Sequence, residues 1–406
     1  MSRPPLMTLD DALAVLLARA EPLADGERVS IFDADGRVLR GAAVSRLAVP
    51  PCDNSAMDGY ALRAADAPAA GTVLPVSQRI PAGSQPGPLQ PGSAARIFTG
   101  APVPAGADAV VMQEHCTALD GERVRIDQPP AVGQAIRRAG EDIALGATVL
   151  AAGTRLAPAQ LGLAASIGMA ELSVTRRPRV ALFSTGDELV MPGAIAPEHL
   201  PVGAIYNSNR FFLRALLARL GCEVTDLGVV PDTFAATTAA LRQAAQGHDL
   251  VLTSGGVSVG EEDHVKPAVQ SLGELDLWQI AIKPGKPFAC GRVGGAHFIG
   301  LPGNPVSSFI TFCVLVRPFL LRLQGVVDVA PRPIAARAGF DWPRADKRRE
   351  FLRVRVAQEG QLELFANQGS GVLTSTVWGD GVVDLPAGQS IARGDQVRFL
   401  AFSQWT

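Results

Sequence analysis

Residues 250–263 read LVLTSGGVSVGEED, and this stretch says more about the fold than any other part of the chain. Its apolar start predicts a buried strand, and a helix is predicted from His264 onward. Loops that join a strand to a helix in this way are where α/β proteins bind ligands. Glycines let backbone N–H groups approach an anion, and the acids at the end of the loop could hold a hard cation beside a phosphate. The stretch therefore predicts phosphate and metal chemistry, with a solvated surface loop as the alternative.

The same alternation of strands and helices extends from residue 179 to residue 323. The predicted strands are 180–183, 224–230, 250–252 and 298–299, and the predicted helices are 208–220, 233–245, a segment after His264 and a segment from Pro305 onward. Alternating elements of this kind predict a central α/β domain with a parallel sheet.

The regions on either side of this domain have different sequence patterns. Apolar residues at helical spacing predict a helix over 9–20 with Thr8 as its N-cap, and dense proline and glycine predict a small β domain near 49–142. After a proline-rich hinge, alternating strands and glycine turns predict a small β-barrel or sandwich. The predicted fold class is multidomain α/β plus β, divided into 1–48 with 141–177 (helical and linking), 49–140 (β-rich, inserted), 178–326 (α/β) and 330–406 (C-terminal β).

The composition is that of a globular protein of about two to four domains, with 406 residues, 47% hydrophobic and 19% charged. Lys and Arg number 37 against 39 Asp and Glu, so no overall basic field favours nucleic acid or an anionic membrane. The N-terminus does not resemble a signal peptide, and the longest apolar run, near 309–316, is too short to span a membrane. We therefore expect a cytoplasmic protein.

Cysteine and histidine usage limits the metal chemistry. The five cysteines form no CxxC pair, and the five histidines are scattered without an HExxH motif. This spacing argues against structural disulfides and against a zinc or iron site. Any metal is expected to be hard and bound by oxygen.

Four loops at the carboxyl ends of predicted strands combine small residues with acids or prolines. They lie at 184–188, 231–232, 253–263 and 301–305. Because the carboxyl ends of parallel strands share one rim, we expect Glu188, Asp232 and Asp263 to come together there. The helix predicted from Pro305 would present free N–H groups to the same rim. Simple chain reversal would explain the glycines and prolines but not the repeated acids.

Two lysines flank a rigid turn in the sequence IKPGKPF at 282–288. Lys283 and Lys286 carry compact charges suited to a phosphate or a tetrahedral oxyanion, which predicts an anion clamp if the loops are neighbours. A solvated surface is the alternative. The polar runs 52–61 and 98–104, taken on their residues alone, favour structural turns.

Eight motifs together carry a resemblance to a known family. They are DNSAMDGYA (53–61), TGAPVP (99–104), GEDI (140–143), STGDEL (184–189), YNSN (206–209), SGGVSVGEED (254–263), KPGKPF (283–288) and LPGNPVSS (301–308). In this order they resemble the molybdopterin molybdenumtransferase family, which includes bacterial molybdenum-insertion enzymes and the gephyrin E domain.

The resemblance implies that adenylylated molybdopterin and molybdate react to give molybdenum cofactor and AMP, with Mg²⁺ assisting. The implied catalytic residues are Asp58, Thr99, Asp142, Glu188, Asp232, Asp263 and Lys283, and the implied metal ligands are Glu188, Asp232 and Asp263. The implied substrate-binding residues are Ser254, Gly255, Gly256, Ser258, Lys286, Pro302, Gly303, Asn304, Ser307, Arg348 and Ser370.

The resemblance also implies an elongated homodimer in which Asp58 and Thr99 of one subunit face the α/β rim of the other. Transient contacts with molybdopterin adenylyltransferase and with downstream molybdenum-cofactor proteins are expected, whereas contacts with nucleic acid or membrane are not. One position departs from the family, because Gln279 stands where members can carry a lysine. Two other functions stay open: a molybdopterin adenylyltransferase, which has a similar α/β fold, and a scaffold of the gephyrin type.

Overall fold

The computed structural model describes residues 6–256 and 264–405. Within them, the central sheet has six strands in the spatial order Glu223–Val230, Arg179–Thr185, Leu250–Ser254, Ala296–Leu301, Pro287–Val293 and Gly273–Gln279. The first four strands are parallel, as the sequence predicted. The last two are antiparallel and were not predicted. The final strand is a largely exposed edge strand, so it lacks the apolar run that marks a buried parallel strand.

Helices cover both faces of the central sheet. One face carries Asn209–Arg219 and the long helix Pro305–Leu323, which is π-helical over Phe312–Val316. The other face carries Phe234–Ala245 and Val265–Leu272. Successive strand residues alternate between the two cores, as the opposite directions of neighbouring side chains require. The two apolar cores thus hold the sheet rigid and fix its strand-end loops at one edge.

Among the described residues, one helix is long and apolar enough to cross a membrane by length and composition. It is Pro305–Leu323, and 89% of its most apolar window is buried inside the structure. Such burial is typical of the core helix of a soluble protein.

The first helix of the described residues is Leu9–Ala18, two residues shorter than the predicted one. The Thr8 hydroxyl accepts a hydrogen bond from the Asp11 N–H at 3.1 Å, which confirms Thr8 as the N-cap. Leu16 packs into the same core as the central sheet, and the Met7 N–H donates to the Gln279 carbonyl at 2.9 Å. The first helix is therefore anchored on the central unit.

The β-rich region contains a six-stranded sheet within the described residues. Its strands run in the order Ala109–Met112, Gly59–Leu62, Ala94–Ile97, Thr72–Ile80, Arg123–Ile126 and Cys116–Leu119. Three two-stranded pairs accompany it: Gly26–Ser30 with Glu171–Thr175, Ala43–Val44 with Thr148–Leu150, and Asn54–Ser55 with Ile136–Arg137. This part of the chain also contains the helix Pro158–Ser166.

The C-terminal region also forms a sheet, and part of the lysine segment joins it. The strand order is Ile282–Lys283, Arg349–Val356, Gly381–Leu385, Gln396–Ala401 and Ile334–Arg337, with Leu362–Leu364 paired to Arg349–Val356 and the helix Thr374–Trp378 beside them. Lys283 pairs in parallel with Glu350, so the lysine segment connects the central and C-terminal units. The predicted domain boundaries themselves stay a prediction.

Candidate functional site

The loops at the carboxyl ends of the parallel strands surround a cavity of about 690 Å³. All four loops that the sequence placed on one rim contribute to it, which confirms the predicted convergence for their described residues. The lining residues from these loops are Ser184, Thr185, Gly186, Glu188, Asp232, Ser254, Gly255, Gly256, Pro302, Gly303, Asn304 and Pro305. Ser258, Glu261, Glu262 and Asp263 lie outside the described residues.

Two carboxylates reach this cavity from neighbouring strands. Glu188 follows the strand Arg179–Thr185, and Asp232 follows Glu223–Val230. The first of these loops turns at Gly186, whose φ is +141°. This φ favours glycine, and a Cβ on Gly186 would lie 2.6 Å from Oε2 of Glu188, so a larger residue would also displace that carboxylate.

The glycine loop after Leu250–Ser254 lies equally close to its neighbours. Gly255 has a φ of +98°, and a Cβ there would lie 2.8 Å from the carbonyl oxygen of Thr185. The Gly255 N–H donates to the Leu301 carbonyl at 3.1 Å. Three of the predicted loops are therefore in direct backbone contact.

Some buried polar groups on the cavity wall have no hydrogen-bond partner among the described residues. They are the hydroxyls of Ser184 and Thr185 and the side-chain nitrogen of Asn207. A buried polar group without a partner costs about 1–3 kcal/mol, which a ligand that supplies the partner would recover. These groups point to a polar ligand in the cavity.

Asn207 and Asn209 line the cavity but were not predicted as site residues. The Asn209 side-chain nitrogen donates to Ser254 Oγ at 2.8 Å and to the Gly303 carbonyl at 2.7 Å. It thereby ties two of the loops together. The YNSN motif immediately before a helix was the sequence signal that could have identified both asparagines.

The C-terminal unit closes one side of the cavity. Ser307, which is only 4% exposed, lines the cavity from the first turn of the helix that begins at Pro305. The Val306 N–H donates to the Ser370 carbonyl at 2.9 Å, and Gly371 also lines the cavity. The helix start and the loop from the C-terminal unit therefore meet at the ligand space.

The predicted lysine clamp lies apart from this lining. Lys283 Nζ is 2.9 Å from Glu350 Oε1 and 3.5 Å from Asp346 Oδ2. Hydrogen bonds from Arg348 lower the pKa of Asp346 to about 2, so that carboxylate stays charged beside the lysine. Lys283 faces a different hollow, which Trp342 also lines. Of the described residues that line the strand-end cavity, none is Lys283, Lys286, Arg348, Ser370 or Gln279.

The N-terminal motifs form a separate cluster. The Thr99 N–H and hydroxyl donate to Asp58 Oδ1 at 2.8 and 2.7 Å, and these hydrogen bonds lower the pKa of Asp58. Asp142 is exposed, and its backbone N–H donates to the Val49 carbonyl at 3.1 Å. Asp58, Thr99 and Asp142 are absent from the described lining of the strand-end cavity within the same chain.

The carboxylates of the cavity suit a magnesium ion. Mg²⁺ is usually held by one or two carboxylates with waters and substrate phosphates, and Glu188 and Asp232 provide two that face one space. Within 6–256 and 264–405, no cluster of three or more His, Cys, Asp or Glu side chains forms a complete metal cage. An all-protein calcium or zinc centre is therefore not built from these residues, whereas a magnesium site completed by phosphate oxygens fits them.

The fold and the cavity define a class of protein. It is a multidomain α/β protein with a polar ligand site that contains carboxylates and lies between the central sheet and the C-terminal unit. Three family models match the chain. They are the MoeA N-terminal region (domain I and II) over 7–168, a domain described as a probable molybdopterin binding domain over 181–322, and the MoeA C-terminal region (domain IV) over 335–402.

Relatives and solved structures agree with these models. The molybdopterin molybdenumtransferase of Haemophilus influenzae is 41% identical over 92% of each chain, and that of Synechococcus elongatus is 37% identical over 97% of this chain and 98% of its own. The solved structure of the molybdopterin biosynthesis moeA protein from Pyrococcus horikoshii OT3 has a TM-score of 0.84 at 29% identity, and the match covers 98% of this chain and 100% of that one. The chain belongs to the MoeA, or molybdopterin molybdenumtransferase, family.

Proposed function

We propose that the chain transfers molybdate to adenylylated molybdopterin and releases AMP. The observation that carries this proposal is the strand-end cavity, in which two carboxylates and several unsatisfied buried donors share one space. Its volume of about 690 Å³ lies within the range of about 300–1,000 Å³ that is usual for small-molecule sites. Membership of a family whose relatives carry the name of this activity supports the assignment.

The polar groups of the cavity have distinct proposed roles. The Asn207 amide and the Ser184 and Thr185 hydroxyls donate hydrogen bonds to phosphate oxygens, which offsets their own burial. The start of the helix Pro305–Leu323, which is the positive end of the helix dipole, adds positive partial charge. These donors favour the AMP leaving group when the phosphoanhydride bond is cleaved.

Glu188 and Asp232 would repel a phosphate unless a cation lay between them. We propose that they hold Mg²⁺, with Asp263 as a further ligand from the sequence. When bound, Mg²⁺ neutralises the charge that develops on the phosphate oxygens. The carboxylates in turn keep the cation fixed at the strand ends, where the helix start and the glycine loops orient the phosphates.

We propose Lys283, Lys286, Arg348, Ser307 and Ser370 as the contacts of the molybdate substrate. Lys283 and Arg348 are held by Asp346 and Glu350, so their charges are already oriented when the oxyanion arrives. The same carboxylates weaken the local positive field. Gln279 lies on the exposed edge strand and adds no charge to this region.

We also propose a cytoplasmic homodimer that contacts the adenylyltransferase and the molybdenum enzymes only transiently. In it, Asp58, Thr99 and Asp142 of one subunit complete the strand-end cavity of the other. Their separation from the cavity of their own chain supports this arrangement. The Asp58 carboxylate, kept ionised by Thr99, would then act near the substrate of the neighbouring subunit.

The decisive experiment incubates the purified protein with adenylylated molybdopterin, Mg²⁺ and molybdate. We expect AMP release together with a product that activates a cofactor-free molybdenum enzyme. Parallel reactions with ATP and unmodified molybdopterin test for the adenylyltransferase activity. Formation of adenylylated molybdopterin in those reactions, with no AMP release in the first, would assign the chain to the preceding step instead.

A further inference from the structure

A second, smaller cavity of about 240 Å³ lies where several units of the chain meet. Three arginines, Arg155, Arg219 and Arg317, line it together with Ser403, Gln404 and Trp405. These residues come from the linking region, from the end of the helix Asn209–Arg219, from the interior of the helix Pro305–Leu323, and from the last described residues. It shares no described lining residue with the strand-end cavity, so it is a separate feature.

The positive charges of this cavity are not neutralised nearby. Its described lining contains no Asp or Glu. The side chain of Arg317 is half-buried, makes no hydrogen bond or ion pair with a described residue, and has a buried Nε without a partner. Burial lowers the pKa of Arg317, and the positive charge of Arg155 lowers it further. The fold therefore holds like charges together at a cost in free energy.

A purely structural role explains only one of the three arginines. An Nη of Arg155 donates to the Arg219 carbonyl at 3.1 Å, which caps the end of the helix Asn209–Arg219. The side chain of Arg317 makes no capping hydrogen bond of this kind with a described residue. Trp405 is only 2% exposed, and its indole Nε1 also lacks an acceptor among the described residues. The surroundings are rich in donors and short of acceptors.

We propose that this cavity binds a small tetrahedral oxyanion of the phosphate or sulfate type. Guanidinium groups match the geometry of such oxygens and bind them with paired hydrogen bonds, and the Ser403 hydroxyl can add another. The cavity is smaller than the usual organic-ligand site of about 300–1,000 Å³, so it takes an inorganic oxyanion or a single terminal phosphoryl group. The binding does not depend on the proposed molybdenum chemistry.

The test is a calorimetric titration of the full chain with inorganic phosphate, at constant ionic strength set with chloride. We compare the wild type with Arg219→Gln and Arg317→Gln. Arg219 is exposed, so its replacement leaves the fold intact even if the Arg317 variant proves unstable. Arg214→Gln is the matched control, because Arg214 is an exposed arginine on the same helix that does not line this cavity.

We expect the phosphate Kd to rise at least about tenfold in each cavity variant and to stay unchanged in the control, because each variant loses a charged pair of hydrogen bonds. An equal Kd in the wild type and in Arg219→Gln would overturn the proposal, since phosphate would then be bound elsewhere, such as in the strand-end cavity. Absence of any phosphate binding by the wild type would overturn it as well.

Discussion

Glu188 shows how a single side chain depends on its backbone. Its carboxylate lines the strand-end cavity in the space beside Gly186 that a Cβ would otherwise fill. Glu188→Gln keeps the size of the side chain and removes its charge. We expect AMP release to fall about 10²–10³-fold, the usual effect of deleting one electrostatic contact to the transition state.

The matched control for that prediction is Glu198→Gln. Glu198 is an exposed acid in the nearby segment Pro197–His199 and does not line the cavity. Rates of AMP release at saturating Mg²⁺ provide the measurement. Unaltered turnover in Glu188→Gln would remove that residue from the proposed site.

His297 gives the stability a pH dependence that is independent of catalysis. It lies on the strand Ala296–Leu301 with its ring 5.0 Å from that of Phe319, and burial lowers its pKa from 6.5 to about 4. The unfolded chain therefore binds a proton at a higher pH than the folded chain, so stability is lost as the pH falls from about 6.5 to about 4. The lost free energy of unfolding is about 1–3 kcal/mol, since part of the ring remains near solvent.

His297→Phe keeps an aromatic ring against Phe319 and removes the titrating group. We expect its urea midpoint to change less than that of the wild type between about pH 7 and about pH 5. His199→Gln, at an exposed position, should retain the full dependence of the wild type. Parallel pH profiles for the wild type and His297→Phe would show that another group is responsible.

At the scale of elements, a buried arginine organises the loop that reaches the cavity from the C-terminal unit. Arg353 is 1% exposed and donates to the carbonyls of Phe351 and Gly369 at 3.0 and 3.1 Å and to Ser375 Oγ at 3.1 Å. Burial lowers its pKa to about 10, which still leaves it charged at neutral pH. Two of its acceptors flank Gly371, which lines the cavity.

Arg353→Met should therefore loosen the loop 369–375 and leave its acceptors unpaired, at about 1–3 kcal/mol for each buried group. We expect faster amide exchange at 369–375 and at Val306, whose N–H depends on Ser370, and a larger rise in KM than fall in kcat. Arg355→Met is the control, since Arg355 is exposed on the same strand and pairs with Glu363. Unchanged exchange at 369–375 would show that the loop is held by other contacts.

The sequence predicted those helices and strands that a hydrophobic pattern within the segment itself identifies. The buried strand at 250–252 and the helix at 233–245 were found to within two residues, since apolar runs and the Thr233 cap mark them. The edge strand Gly273–Gln279 was missed because its pairing comes from a partner strand and not from its own pattern. The convergence of four loops followed from the parallel topology alone.

The lysine segment shows that a local sequence pattern does not predict ion pairs with distant segments. Two lysines in KPGKPF predicted a clamp beside the acids of the rim, but Lys283 pairs instead with Glu350, far along the chain in the C-terminal sheet. Ion pairing between distant segments depends on how whole units pack together. The spacing of residues within 282–288 contains no information about that packing. The unpaired hydrogen-bond donors of Asn207 and Arg317 likewise could be identified only from the burial of these side chains in the structure.

At the scale of the whole molecule, the homodimer that we propose would divide the active site between two chains. Thr99 donates a hydrogen bond to Asp58, but neither residue lines the described part of the strand-end cavity of its own chain. Glu188 does line that cavity. Asp58→Asn and Glu188→Gln should each be inactive alone. In a mixed dimer, one site would receive both lesions and the other would receive neither.

Mixing equal amounts of Asp58→Asn and Glu188→Gln chains during refolding or co-expression should therefore restore about a quarter of the wild-type sites, because half the dimers are mixed and each has one intact site. AMP release per chain is the measurement. Asp58→Asn mixed with Thr99→Ala is the control: both changes lie on the same side of the site, so every site stays defective. If the first mixture also stays inactive although mixed dimers are isolated with two affinity tags, each active site lies within one chain, and Asp58 acts on the rim of its own subunit or not at all.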